Sequence, residues 1–133
     1  MNLQTFFKDT INNGGASFNL LTGEYNPNDG FMVAIKGHEF QIPIESFNHK
    51  VLSDYIKKNA DLLISGVTDN KFLGSWIDKG IVYLDCSIKF DRVVPALESG
   101  IDQGELAIWS NESKTSISCT QHNLEFHKNI LDL

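Results

Sequence analysis

The sequence has only two cysteines, Cys86 and Cys119, among its 133 residues. Two thiols cannot build a disulfide framework, and neither sits in a CxxC or other metal-ligand spacing. Both fall among apolar neighbours in alternating stretches, so they read as buried free thiols packed as small hydrophobes. Basic residues are also scarce: 11 Lys and Arg stand against 17 Asp and Glu, a net charge of −6. Their densest group is Lys50, Lys57 and Lys58 on one predicted helix. That is too little for the clustered basic surface a nucleic-acid backbone requires. The acids are spread evenly with no run, which fits a solvated surface better than a mimic of DNA.

Long apolar runs are missing too. No stretch approaches the roughly 18 residues of a membrane span, and residues 1–9 lack the apolar core of a signal peptide. The expectation is a cytoplasmic protein with no membrane contact. Apolar residues make up 41% of the chain and aromatics 11%, nine of them Phe. That suffices for one core without staples, so residues 1–133 read as a single domain.

Periodicity supplies the elements. Leu3, Phe6, Phe7 and Ile11 make residues 1–13 a short N-terminal helix, stopped by Asn12-Asn13-Gly14-Gly15. Residues 31–36 and 39–44 alternate around Gly37-His38, which predicts a hairpin pairing Val33 with Ile42 and Ile35 with Phe40. Pro43 places its strand at a sheet edge. Residues 49–63 carry an apolar helical stripe, with Asn48 as N-cap. Residues 66–70 read as a loop. A second hairpin joins 72–77 to 81–88 through a three-residue turn, Asp78-Lys79-Gly80, which sets Trp76 opposite Val82 and Gly74 opposite Leu84. In that register Trp76 fills the core, and Leu84 or a neighbouring element fills the gap at Gly74. Asp91 is the predicted cap of another helix running to about Gly100, with Pro95 in its first turn. A third hairpin joins 105–110 to 115–120, with Leu106, Ile108, Ile117 and Cys119 facing the core. Residues 121–133 form a tail, helical or loose. Hairpins alternating with helices indicate an α+β fold: an antiparallel sheet with two main helices on one face, plus the short N-terminal helix.

Chemistry-bearing patterns are sparse. His38 and His49 lie at a turn and a helix start, and His122 and His127, five apart, do not share a helix face. No metal or cofactor is expected. No GxSxG elbow or phosphate loop appears. Asp85 and Asp91 flank Ser87, but six residues across strand and loop fix no acid–base geometry, so no catalytic residue is assigned. Aromatic residues remain. Trp109 and Tyr83, on the less apolar strand faces, and Tyr25, in a turn-rich stretch, are candidate anchors for a partner. Asp85 joins them as a polar contact.

Several segments also stand in a familiar order. They are Gly15-Ala16-Ser17-Phe18-Asn19-Leu20, Thr22-Gly23-Glu24 and Gly30-Phe31-Met32-Val33-Ala34. Tyr55-Ile56-Lys57-Lys58-Asn59-Ala60, Leu73-Gly74-Ser75-Trp76, Val82-Tyr83-Leu84-Asp85-Cys86-Ser87 and Ala107-Ile108-Trp109 follow. Over residues 14–118 the chain thereby resembles a group of small phage, prophage and mobile-element proteins. That group often has Gln before the Ala-Ile segment and Asp after it, where Glu105 and Ser110 stand here. The resemblance implies a phage-type accessory protein in a bacterial host, one that binds and inhibits a defence protein such as a CRISPR effector or a restriction system. The alternatives are a small-molecule module, binding a signalling nucleotide or acting as a minor hydrolase where Asp85, Trp76 and Asp29-Gly30 converge, and a structural subunit. A homodimer is also open.

Overall fold

The computed structural model describes residues 2–64 and 70–131. The predicted loop at 66–70 therefore lies, but for Asn70, outside the described residues. The fold is α+β, an antiparallel sheet of seven strands with five α-helices among the described residues. In order these are α1 (Leu3–Asn13), β1 (Gly15–Phe18), β2 (Phe31–Ala34), β3 (Phe40–Pro43), α2 (His49–Lys58), α3 (Ala60–Leu63), β4 (Lys71–Asp78), β5 (Ile81–Phe90), α4 (Val93–Gln103), β6 (Ala107–Ser110), β7 (Thr115–Ser118) and α5 (Gln121–Leu131). The chain divides into two compact units, Met1–Asn26 with Gly37–Ser87, and Pro27–Lys36 with Ile88–Leu133.

In the first unit β4 and β5 form the central hairpin. Lys79 and Gly80 both have positive φ, 49° and 77°. Two consecutive positive φ values define a two-residue type I′ turn, whose twist matches the flanking strands. The predicted three-residue turn is one residue too long, because Lys79 accepts a left-handed conformation that sequence assigns to glycine. The pairing therefore shifts by one, and Trp76 stands beside Tyr83, not Val82. The two rings stack with centroids 4.0 Å apart and 8° between planes. Gly74 likewise faces Asp85, not Leu84: a side chain at Gly74 would collide with the Asp85 carboxylate. β1 pairs with β4 (Gly15 with Trp76, Ser17 with Gly74), and β3 pairs with β5 (Gln41 with Tyr83, Phe40 with Leu84).

The predicted hairpin between residues 31–36 and 39–44 does not form. β2 pairs with β6, and β3 with β5. Alternation fixes which face a strand buries but not which neighbour it meets, and here other strands compete successfully for both edges. Pro43 sits on a strand that pairs with β5 alone among the described strands, an edge position that tolerates its missing N–H.

One face of this unit's sheet is covered by helices. Leu73, Leu84, Cys86 and Val82 are fully buried. Phe6 and Thr10 of α1 are fully buried as well. A relay of hydrogen bonds ties α1 to the sheet: Ala16 N–H donates to Ser75 Oγ (3.1 Å), the Ser75 and Thr10 hydroxyls meet at 2.5 Å, and Thr10 Oγ1 donates to Phe6 O (2.8 Å). Each buried hydroxyl is thereby satisfied, as burial demands. The predicted helix at 49–63 is two, α2 and α3. Asn48 caps the first, accepting from Val51 N–H at 2.9 Å. The break comes at Asn59, whose side-chain amide turns back to Tyr55 O at 2.9 Å.

In the second unit β2 pairs with β6, and β6 with β7. A core of Val33, Ala96, Leu97, Ile108 and Leu124 joins sheet, α4 and α5. Arg92, not Asp91, occupies the N-cap of α4 and makes no side-chain cap bond. The helix runs past its predicted end at Gly100 to Gln103, where Gly104 stops it with φ 74°. Leu106, predicted in the core, is 91% exposed, because it lies outside β6 and ahead of the paired residues. The tail is helical, as α5.

Gly100 of α4 is buried against Ile108 of β6 and Cys119. A Cβ there would lie 2.5 Å from Cys119 Sγ and 3.0 Å from Ile108 Cγ2. Overpacking of this kind costs about 1–3 kcal/mol, against a helix-propensity gain of about 1 kcal/mol for Gly→Ala. Gly100→Ala should therefore lower the urea midpoint, and the loss should shrink in a Cys119→Ala background. A more stable Gly100→Ala single variant would contradict this packing.

Candidate functional site

The open face of the first unit's sheet carries the most distinctive side chains. The pairings align Gly15, Trp76, Tyr83 and Gln41 in one row across four strands, with Ser17, Gly74 and Asp85 in the next. Trp76 is 44% exposed although it is large and apolar. Its flanking neighbour Gly15 has no side chain to cover it, and Tyr83 supports the indole from the other side. Asp85 occupies the space that Gly74 leaves, and Ser87 Oγ donates to its Oδ1 at 3.2 Å. Farther along the same face Phe72 and Ser87 are buried, so the open patch ends there.

The residues selected from sequence are distributed as follows. Tyr83 and Asp85 share this face. Tyr25 does not: it bridges to Phe18, whose partner Leu73 points to the helix-covered side, and its hydroxyl donates to Asp9 of α1. Burial, with help from the Asp9 carboxylate, pushes the Tyr25 hydroxyl above the usual tyrosine range. Trp109 belongs to the second unit, on β6 between Met32 and Ser116, and is 41% exposed. Asp29 and Gly30 are also in the second unit, where Asp29 pairs with Lys89 at 2.9 Å. Trp76 is the anchor that sequence reasoning places in the core. The signal that would find it is the Lys79-Gly80 pair, read as a type I′ turn.

The helix-covered side of the same unit has a second cluster. Tyr55 O–H donates to His38 O at 2.5 Å and lies 3.4 Å from Cys86 Sγ. His38 Nδ1 is 2.7 Å from Asn59 Oδ1. Burial raises both the Tyr55 hydroxyl and the Cys86 thiol above their ordinary ranges. Cys86 is buried as expected, while Cys119 is half-buried, and both are free thiols. Among the described residues no group of three or more His, Cys, Asp or Glu could hold a metal ion. No helix there is long and apolar enough to cross a membrane.

Tyr25, Tyr55, Cys86 and Cys119 all hold their protons more tightly folded than unfolded. Their contribution to stability is complete below the unfolded values and is lost as pH rises through the folded ones. Stability should thus decline above about pH 8.5, where free thiols ionise, and more steeply above about pH 10, where free tyrosines do. Tyrosinate absorbance should rise together with the loss of helical circular dichroism. Full tyrosinate absorbance in a still-folded protein would contradict the burial of Tyr55.

Set against known proteins, the chain matches no family profile, no curated protein and no solved structure.

Proposed function

We propose that this chain works by binding another protein, without catalysis, through the open sheet face of its first unit. The observation that carries the reading is the exposed Trp76 indole stacked on the half-buried Tyr83 beside Asp85. A rigid aromatic pair offers a large contact area at small entropic cost, and Trp and Tyr dominate binding hot spots. The resemblance to phage and mobile-element proteins supplies the setting: a bacterial host's cytoplasm, with a CRISPR effector or restriction enzyme as the inhibited partner. The net charge of −6 favours a basic partner surface and electrostatic steering of the encounter.

The test is protection. Bacteria carrying a CRISPR or restriction system should admit phage more readily when they express this chain. Trp76→Ala and Tyr83→Ala should each abolish that protection. Loss of a hot-spot residue costs about 2 kcal/mol or more, roughly a 30-fold weaker complex. Trp76 is 44% exposed, so its removal should cost stability only through the lost stack on Tyr83, about 1 kcal/mol, and leave the protein folded. Protection that survives both substitutions would defeat the proposal. A second copy of the chain is the competing occupant of this face, and a dimer in light scattering that Trp76→Ala dissociates would identify it.

A further inference from the structure

A cavity of about 240 Å³ opens on the helix-covered side of the first unit, between the start of β3 and α2. Its polar groups are unusually well defined. Asn59 Nδ2 donates to Tyr55 O at 2.9 Å, which leaves Asn59 Oδ1 as an acceptor. His38 Nδ1, 2.7 Å from that oxygen, must then carry the proton. In the neutral ring this makes Nε2 an acceptor, with the imidazole held in place by Asn59 and by the Tyr55 bond to the His38 carbonyl. Phe40 lines the same cavity, 40% exposed, its ring 6.3 Å from that of Tyr55.

Charge and size narrow the ligand. Lys58 and Asp54 line the cavity with opposite signs, Asp54 also pairing with Lys50 at 2.8 Å, while the Glu39 carboxylate accepts from Gln41 Nε2 at 2.9 Å. The lining is therefore close to neutral and unsuited to a polyphosphate. The volume is below the roughly 300 Å³ at which drug-sized sites begin. An exposed aromatic face suits a planar ring, since stacking on an aromatic side chain is favourable for any base.

We propose that this cavity binds an uncharged nucleobase or nucleoside, its ring against Phe40 and a ring N–H donated to His38 Nε2. The site is separate from the Trp76–Tyr83 face, so either can fail alone. Inosine and 1-methylinosine are the probes, titrated into the full chain and followed by amide chemical shifts and calorimetry. Inosine should move amides at residues 37–40 and 51–59. 1-Methylinosine, which lacks the ring N–H, should bind about tenfold more weakly or worse. Phe40→Ala should also weaken inosine binding about tenfold, and His38→Phe should erase the difference between the two probes. Unmoved amides at millimolar inosine, or equal affinity for the two probes in the unaltered chain, would overturn the proposal.

Discussion

Positive φ at both Lys79 and Gly80 constrains everything built on the central hairpin. Strand side chains alternate, so a turn shorter by one residue sends every β4 side chain to the other face relative to β5. The two-residue turn puts Ser75, Leu73 and Ile77 with Val82, Leu84 and Cys86, and puts Trp76 and Gly74 with Tyr83 and Asp85. The first set meets the helices and the second forms the open face. The Trp76–Tyr83 site inherits its composition from that division.

The covered side shows why this register holds. Ser75 is buried, and a buried hydroxyl without partners costs about 1–3 kcal/mol. Its partners, Ala16 N–H and the Thr10 hydroxyl, lie on that side. On the open side, Asp85 fits because Gly74 has no Cβ to exclude it. Polar satisfaction and apolar burial thus select the same pairing, the consistency across levels that a well-specified fold requires.

Local signals are the legible ones. Asn48 as a helix cap, the N-terminal helix and the β6–β7 hairpin all depend on residues close in sequence. The choice of partner for β2 and β3 depends on strands far along the chain, and alternation alone suggests a hairpin that does not exist. A turn that keeps positive φ for Gly80 alone comes out one residue too long, and that reading misplaces the β4–β5 register and sends Trp76 to the core; Lys79 shares the left-handed conformation. Tyr83 and Asp85 can be identified because β5 alternates clearly whatever its partner does. The His38–Asn59 contact joins residues 21 apart across a turn and a helix, and nothing in either segment announces it.

The most direct test is a nuclear Overhauser spectrum of the aromatic protons. The structure predicts strong cross-peaks between the Trp76 indole and the Tyr83 ring. Cross-peaks from the indole to the Val82 methyls, with none to Tyr83, would mean the longer turn and would contradict the account.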